Sequence, residues 1–266
     1  MIKLAIAGVC GRMGSAILKL ALSDPEVEVT GGLERKGHPM VGKGLDVALP
    51  GVPAVCNLGD DLAQVIDLAD VIVDFTEPAS TLEHFRLAAA RHKAMVIGTT
   101  GFSQNALQEI SRTAGARVVI SPNMSIGVNL MFDLVRRAAS ALTADYDVEI
   151  LELHHKWKKD APSGTAVRLR QVIEAARPTT PSFQVSGREG MVGERRPGEI
   201  GVLAVRGGDI VGEHTVFFAG LGERLEITHR AASRDNFARG ALLAIKWLTR
   251  QPPGVYDMKD VLGLGQ

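Results

Sequence analysis

Cysteine is scarce in this sequence, since Cys10 and Cys56 are the only two among 266 residues. Two widely spaced thiols form neither the cluster that a metal site needs nor a framework of disulfides. So few thiols suit a reducing compartment. Residues 1–7 also run into a glycine turn without a signal-peptide cleavage pattern. We therefore expect a cytoplasmic protein without a bound metal.

An excess of charge is missing as well, because 30 lysine and arginine residues balance 30 aspartate and glutamate residues. A balanced chain has no overall positive field with which to hold nucleic acid. Long apolar runs are also absent, and a membrane-spanning helix needs roughly 18 or more apolar residues in succession. We expect neither a nucleic-acid partner nor a membrane partner.

The residues that are present give an ordinary globular composition, with 45% hydrophobic and 23% charged residues. In the first half, short apolar runs alternate with helical patterns, which predicts a parallel sheet covered on both faces. The predicted class is α/β with a doubly wound, Rossmann-like sheet. The predicted strands are 2–7, 27–33, 70–75, 95–97 and 118–120, and the predicted helices are 11–22, 79–91 and 104–114.

The pattern changes past about residue 125. Apolar or alternating runs then predict a second, α+β domain on a mostly antiparallel or mixed sheet, with one face solvated. A glycine-rich segment, 183–198, is predicted to be a loop, and 207–209 a turn between two strands. A last helix, 236–248, is predicted to return to the first domain. The predicted strands are 148–153, 200–205, 210–219 and 224–230, and the predicted helices are 127–142 and 163–176.

A glycine-rich turn joins the first predicted strand to the first predicted helix. Its spacing is Gly-x-x-Gly-x-x-Gly, with Cys10 near the position of the usual middle glycine. Glycines allow a tight turn and let a pyrophosphate approach the amides at the positive end of a helix. Alone, such a turn is also compatible with a purely structural role. The residues expected to bind the cofactor here are Gly8, Val9, Cys10, Gly11, Arg12 and Met13.

A charged cluster follows the second predicted strand. Glu34 lies 20 residues after Gly14, where a carboxylate can hold the ribose hydroxyls of adenosine. The carboxylate favours NADH because it repels a 2′-phosphate, whereas Arg35 and Lys36 can pair with that phosphate. A solvated loop is the alternative, above all for Lys36. We expect both NADH and NADPH to be usable and leave the preference open.

Two further loops follow the fourth and fifth predicted strands, at the sheet edge where such folds bind ligands. Their small and hydroxyl side chains allow the nicotinamide ribose and carboxamide to come close, although each loop could also be a plain strand-to-helix turn. The expected cofactor-binding residues are Gly98, Thr99 and Thr100 in one loop, and Ser121, Pro122, Asn123 and Met124 in the other.

The segment HHKWKKDAPSGT, residues 154–165, joins a predicted strand to a predicted helix. Its Ser-Gly-Thr start offers backbone amides to a carboxylate, and His154, His155 and Lys158 supply cationic or proton-donating groups beside it. This combination suits a carboxylate substrate whose reduction needs a proton as well as a hydride. The alternative is a solvated basic loop. Adjacent histidines without a companion cysteine or carboxylate spacing do not predict a zinc site.

Taken together, these segments resemble the 4-hydroxy-tetrahydrodipicolinate reductase (dihydrodipicolinate reductase) family over essentially the whole chain, in order. The segment from the paired histidines to Ser-Gly-Thr is the most specific of them. The matching stretches are GVCGRMG (8–14), DFT (74–76), VIGTTG (96–101), SIGVN (125–129), ELHHKWK (152–158), DAPSGT (160–165), REG (188–190) and GEHT (212–215).

The resemblance implies an NAD(P)H-dependent reduction of a small cyclic dicarboxylate, 4-hydroxy-tetrahydrodipicolinate, to tetrahydrodipicolinate in diaminopimelate and lysine biosynthesis. It implies a dinucleotide-binding domain of residues 1–125 and 236–266, and a domain of residues 126–235 for substrate binding and oligomerisation, assembled into a homotetramer. By the same resemblance, His154 donates or accepts a proton and Lys158 donates one. His155, Gly164 and Thr165 are implied to bind the substrate carboxylates.

Two positions depart from the family pattern. Met124 stands where some relatives have an aromatic residue, and Glu77 where a basic residue can occur. Two other functions also have to be weighed. Another two-domain dehydrogenase of a small carboxylate fits the glycine turn but not the 154–165 segment. A non-catalytic nucleotide sensor would have no need of His154 and Lys158 as proton donors.

Overall fold

The computed structural model describes residues 1–142, 144–178 and 181–264. The chain forms two compact units, which are Met1–Ile126 with Arg234–Gln266, and Gly127–Ser233. The first unit is thus built from two separated stretches of chain, and the second from one. None of the helices described is both long and apolar enough to span a membrane.

The first unit contains a seven-stranded sheet in which every pairing is parallel. The predicted doubly wound α/β class is therefore confirmed. Two short edge strands were not predicted, because runs of two or three residues carry no readable alternation. In chain order the strands are β1 (Ile2–Ala7), β2 (Val27–Leu33), β3 (Leu58–Gly59), β4 (Val71–Asp74), β5 (Ala94–Ile97), β6 (Arg117–Ile120) and β12 (Gly254–Tyr256), arranged β12-β6-β5-β4-β1-β2-β3.

Helices supply apolar residues to both faces of this sheet, where two separate cores form. Two of the helix starts have a local cause: Pro78 occupies the first turn of its helix, and the Ser103 side chain accepts a hydrogen bond from the amide of Ala106 at the start of another. The last long helix packs against the first. The helices are α1 (Arg12–Leu22), α2 (Leu45–Ala48), α3 (Pro78–Ala90), α4 (Gln104–Arg112), α7 (Asp235–Leu248) and α8 (Met258–Val261).

The second unit contains a five-stranded mixed sheet. Its strands are β7 (Asp147–His154), β8 (Phe183–Val185), β9 (Glu199–Arg206), β10 (Gly212–Gly220) and β11 (Glu223–Ala231), arranged β11-β10-β7-β9-β8. Two pairings are antiparallel and two are parallel. Residues 207–211 do not close a hairpin, because β7 lies between the strands they connect. A short strand also forms within the predicted 183–198 loop.

Two helices, α5 (Ile126–Ala141) and α6 (Gly164–Ala176), form the core of the second unit with one face of this sheet. Alternate residues of a strand point to opposite faces. Val148 and Ile150 of the central strand β7 point into the core, as do Val216 and Phe218 of β10. Strand β7 ends at His154, and the segment that follows leads directly into α6. The fold thereby brings the last residues of the central strand β7 close to the start of helix α6.

Candidate active site

The glycine turn of the first unit is tightly packed against α1. Gly8 has a φ of +73°, a conformation that favours glycine. A Cβ on Gly14 would lie 2.1 Å from the carbonyl oxygen of Gly8, so only glycine fits there. Val9 is fully buried, so this residue presents its backbone and not its side chain to a ligand. No side chain caps α1 at Gly11, which leaves its first turn able to receive a phosphate.

Glu34 is held beside this turn. One oxygen of its carboxylate accepts a hydrogen bond from the amide of Cys10 at 2.9 Å, and the other accepts one from the amide of Arg35 at 3.4 Å. Glu34, Arg35 and Lys36 line the same cleft as Gly8 and Gly11, and its volume is about 690 Å³. The uncapped helix start, the carboxylate and the two exposed cations together fit the phosphate and ribose groups of a dinucleotide.

A buried carboxylate, Asp74, organises the edge of this cleft. One of its oxygens accepts hydrogen bonds from the hydroxyls of Thr76, Thr81 and Thr99 and from the amide of Thr76, at 2.7–3.3 Å. The other lies 2.7 Å from Nδ1 of His84. The Thr99 hydroxyl is therefore engaged inside the protein. Gly98 leaves room for the ring of Phe75, which a Cβ would approach to 2.0 Å.

The loop after β6 is also internally bonded. The Ser121 hydroxyl donates to the carbonyl of Asn123 at 2.9 Å, and the Asn123 side chain accepts from the amide of Ser125 at 2.8 Å. Met124 is 2% exposed and packs in the core, whereas Thr100 and Pro122 are exposed. Side chains at 99, 121 and 124 thus shape the backbone of these loops, and backbone groups and exposed atoms remain for ligand contact.

Glu152 is the centre of the second unit's polar cluster, and it is 0% exposed. Arg206 donates to both carboxylate oxygens at 2.7 Å. Nδ1 of His154 lies 2.5 Å from Oε2, and the backbone amide of Ser163 donates to Oε1 at 3.0 Å. One carboxylate therefore links the end of β7, the end of β9 and the start of α6.

A second histidine lies next to the first. The rings of His154 and His214 are 5.2 Å apart and nearly perpendicular. Nε2 of His214 lies 3.0 Å from the Ser163 hydroxyl, which also accepts a hydrogen bond from the amide of Ala166 and so caps α6. Nδ1 of His214 is buried and has no hydrogen-bond partner among the described residues.

Burial sets the protonation of these groups. Burial lowers the pKa of His214 to about 3, and it also lowers the pKa of His154, although the hydrogen bond and charge of Glu152 act in the opposite direction. Burial opposes the ionisation of Glu152, but hydrogen bonds from Arg206 and His154 outweigh it and hold the pKa of Glu152 below its ordinary value. At neutral pH the cluster is a carboxylate and a guanidinium beside two neutral imidazoles.

Lys158 is held on the loop that follows. Its ammonium donates to both carboxylate oxygens of Asp160 at 2.8 and 2.9 Å, and Arg206 donates to the carbonyl of Asp160 at 2.8 Å. The Lys158 side chain is 19% exposed, and its charge contributes to the lowered pKa of His154. Lys158 and His154 therefore share one electrostatic environment.

The remaining predicted substrate residues lie at either end of this loop. The His155 ring lies 5.7 Å from that of Trp157. Gly164 and Thr165 are the first two residues of α6. Gly164 has no positive φ, and a Cβ there would meet nothing within 4 Å. The fold therefore does not itself require glycine at this position, and the space beside its amide is open. Among the described residues, no three or more His, Cys, Asp or Glu side chains are grouped to hold a metal.

Comparison with known proteins identifies the relatives of this chain. The family models described as "Dihydrodipicolinate reductase, N-terminus" and "Dihydrodipicolinate reductase, C-terminus" match residues 2–124 and 127–262. The chain belongs to the dihydrodipicolinate reductase family. It is therefore an oxidoreductase of diaminopimelate and lysine biosynthesis that reduces dihydrodipicolinate with NADH or NADPH, as the sequence predicted.

Individual relatives agree over the full length. Two proteins named 4-hydroxy-tetrahydrodipicolinate reductase, from Syntrophobacter fumaroxidans and Anaeromyxobacter dehalogenans strain 2CP-1, are 51% and 50% identical. Each alignment covers 99% of this chain and at least 98% of the relative. The solved structure of dipicolinate-bound dihydrodipicolinate reductase from Paenisporosarcina sp. TG-14 is 28% identical, with a TM-score of 0.79 over 97% of both chains. An amine dehydrogenase from Mycobacterium smegmatis, 14% identical with a TM-score of 0.60 over 96% of this chain and 94% of that one, shares the fold alone.

Three residues of the cluster around Glu152 carried no role in the sequence analysis, namely Glu152, Arg206 and His214. The burial of Glu152 could have been predicted from the sequence, because Glu152 continues the alternation of the buried residues Val148 and Ile150 along β7. A carboxylate on a buried face requires cationic or amide donors. The cationic donor, Arg206, lies on a strand 54 residues further along the chain, and His214, which contacts the Ser163 hydroxyl, lies on a strand 62 residues further, so spacing alone reveals neither.

We expect the reductase to lose stability as the pH falls, in part through His214. Its folded-state pKa is about 3, against an ordinary value of 6.5. Between these values the unfolded chain binds a proton that the folded chain does not, so stability is present above pH 6.5 and is lost as the pH falls towards 3.

The variant His214→Gln removes this titration. Urea unfolding of wild type between pH 6 and 4 should show a pH slope steeper than that of the variant by up to about 1.4 kcal/mol per pH unit. The exposed His92→Asn is the matched control. Parallel profiles for wild type and His214→Gln would show that His214 does not govern this loss.

Proposed function

We propose that His154 and Lys158 are the catalytic residues of this reductase and that the start of α6 binds a substrate carboxylate. The observation that carries the proposal is the arrangement around Glu152: its carboxylate contacts the imidazole and the helix start, and Arg206 connects it to Asp160, which holds the ammonium. The conjugated ring, dihydrodipicolinate, forms when 4-hydroxy-tetrahydrodipicolinate loses water, and its reduction requires a hydride and a proton. Bound NADH or NADPH supplies the hydride.

The proton comes from the protein in this proposal. Hydride addition leaves an electron-rich, enamine-like substrate, and the Lys158 ammonium donates the proton that completes the reduction. The carboxylate of Asp160 holds that ammonium in place through two hydrogen bonds. His154, whose pKa is influenced by the charge of Lys158, is a second group that can accept or donate a proton.

Substrate carboxylates bind around the start of α6, a helix of 13 residues. The positive end of its dipole favours an anion, and the open space at Gly164 allows a carboxylate to reach the backbone amide. The hydroxyl of Thr165 and the imidazole of His155 complete this subsite. A solved relative is described as bound to dipicolinate, itself a ring dicarboxylate, which supports a small dicarboxylate as the substrate.

The dinucleotide binds in the first unit. Backbone groups of the glycine turn at Gly8, Val9, Cys10, Gly11, Arg12 and Met13 receive the pyrophosphate. Glu34 receives the ribose hydroxyls and Arg35 the 2′-phosphate of NADPH. The nicotinamide half lies against the two loops at Gly98, Thr99 and Thr100 and at Ser121, Pro122, Asn123 and Met124, largely through their backbones. We propose that both NADH and NADPH serve as cofactors.

Replacement of the proton donor tests the reaction. Lys158→Ala should lower kcat on the order of a hundredfold or more, because general acid catalysis typically contributes that much. The dissociation constants for NADH and NADPH should not change. The assay follows oxidation of each cofactor with substrate freshly made from pyruvate and aspartate semialdehyde by a synthase, and exposed Lys156→Ala is the control. A wild type that binds cofactor tightly without oxidising it would instead support a nucleotide sensor.

Replacement of Arg35 tests the cofactor site. Arg35→Ala should weaken NADPH binding by about tenfold or more, since a hydrogen bond to a charged group contributes roughly 1.5–3 kcal/mol. NADH lacks the 2′-phosphate, so its dissociation constant should stay the same. Fluorescence titration of both cofactors provides the measurement, and Lys36→Ala shows whether the neighbouring cation shares the role. An equal loss for both cofactors would count against a phosphate contact.

The second unit also carries the proposed oligomer interface. The sheet face opposite its core presents Leu151, Leu153, Leu203, Val205 and Phe217, none of which belongs to that core. Val205 is 43% exposed. An apolar face of this kind is typical of an interface between subunits. We propose a cytoplasmic homotetramer assembled through this face.

A charge on this face should disrupt the assembly. Val205→Glu should convert a four-chain species into smaller ones, since an unpaired carboxylate is costly to bury. Light scattering coupled to size-exclusion chromatography measures the mass, and exposed Leu107→Glu on α4 is the control. A wild type that elutes as a single chain would refute the tetramer.

A further inference from the structure

We propose that Glu152 is a positioning residue, kept ionised by Arg206, that fixes the tautomer of His154 and couples it to the start of α6. The inference deepens the proposed function and rests on the catalytic role given there to His154. It adds two residues, Glu152 and Arg206, that act through His154 and not on the substrate.

The contacts of Glu152 require an ionised carboxylate. The guanidinium of Arg206 and the backbone amide of Ser163 can only donate, and they approach both oxygens at 2.7–3.0 Å. A protonated carboxyl could place its hydrogen only on the oxygen that faces His154, and the Arg206 guanidinium would then lose the negative charge with which it pairs. The side chain is fully buried, so the charge of Arg206 is what makes an ion tolerable there.

An ionised Glu152 determines which nitrogen of His154 carries hydrogen. A carboxylate only accepts, so Nδ1 of His154, at 2.5 Å, must donate. In neutral His154 the lone pair is then on Nε2, and a proton is gained or lost at Nε2 alone. Gly212 leaves room at that atom, because a Cβ on residue 212 would lie only 3.0 Å from Nε2.

The same carboxylate ties the imidazole to the anion-binding helix start. Its Oε1 holds the amide of Ser163, the residue that caps α6, while Arg206 holds the carbonyl of Asp160 on the loop that carries Lys158. A change at Glu152 is therefore expected to alter the His154 proton and the geometry of the carboxylate subsite together.

Glu152→Gln is the decisive variant. The amide keeps the size of the side chain but removes the charge. Its NH₂ group also faces the guanidinium of Arg206, which is itself a donor. Loss of the carboxylate removes the interaction that raises the proton affinity of His154, so the limb of the pH–rate profile that reports His154 should move to lower pH by about one unit or more. The value of kcat should fall by more than tenfold, and the NADPH dissociation constant should stay unchanged.

The tautomer gives a readout independent of turnover. Protein labelled with 15N-histidine, with the signals of His154 assigned through His154→Asn, should show hydrogen on Nδ1 in the neutral wild type. In Glu152→Gln a substantial fraction should carry hydrogen on Nε2. Glu149→Gln is the matched control, since Glu149 lies on the same strand, pairs with Arg188 and points to the opposite sheet face. It should leave the His154 signals unchanged.

Arg206→Met tests the second half of the proposal. In the cycle of Glu152→Gln, Arg206→Met and the double variant, the double should lose clearly less activity than the two single losses combined, because Arg206 acts mainly through Glu152 and only its bond to the Asp160 carbonyl is separate. Independent, additive losses would overturn this coupling.

The outcomes separate the two proposals. A His154→Ala variant with wild-type turnover would remove the catalytic role of His154 but leave the tautomer measurement standing as a test of Glu152. Hydrogen on Nε2 of neutral His154 in the wild type would overturn the positioning role outright. That measurement needs no variant of Glu152, so a folding defect in Glu152→Gln does not prevent the test. An unmoved tautomer and pH profile in a folded Glu152→Gln would overturn it as well.

Discussion

Enclosing a carboxylate in a protein interior is the constraint on which the second unit depends. Glu152 sits at a core-facing position of the central strand, where water cannot solvate it, so the fold has to supply donors from several directions. Arg206 comes from the neighbouring parallel strand, Ser163 from a helix start and His154 from the same strand two residues on. Satisfying one ion thus determines where three elements end or begin.

The first unit solves a similar problem in a different way. Asp74 is also fully buried at the end of a central strand, but its partners are three threonine hydroxyls, a backbone amide and His84, with no arginine. Hydroxyl donors leave more of the negative charge uncompensated than a guanidinium does. That difference suits the two places, because the first network shapes loops beside the cleft at the glycine turn, while the second holds an imidazole and a guanidinium against one carboxylate.

Local patterns in the sequence were sufficient to predict the long helices and strands. The alternation of apolar runs and helical patterns predicted the parallel sheet, and the Ser-Gly-Thr segment predicted the start of α6, where Ser163 caps the helix. Pairing between distant strands was not predictable in the same way. Strand β7 lies between β9 and β10 because its apolar residues are needed at the centre of the sheet, and no turn signal at 207–209 encodes that. Likewise, a threonine at position 99 and a methionine at position 124 suit ligand contact, yet the Thr99 hydroxyl bonds to that of Thr81 and the Met124 side chain packs in the core.

The first unit is built from two separated stretches of chain, and this affects the order in which the two units can fold during synthesis. Helix α7 packs on α1, and its Gly240 lies so close to the carbonyl of Met124 that a Cβ would approach it to 1.7 Å. The strand β12 that closes one edge of the sheet comes later still. The second unit, by contrast, is one uninterrupted stretch. On the ribosome, the unit that holds His154 and Lys158 can therefore be complete while the nucleotide-binding sheet still waits for its last helix and edge strand.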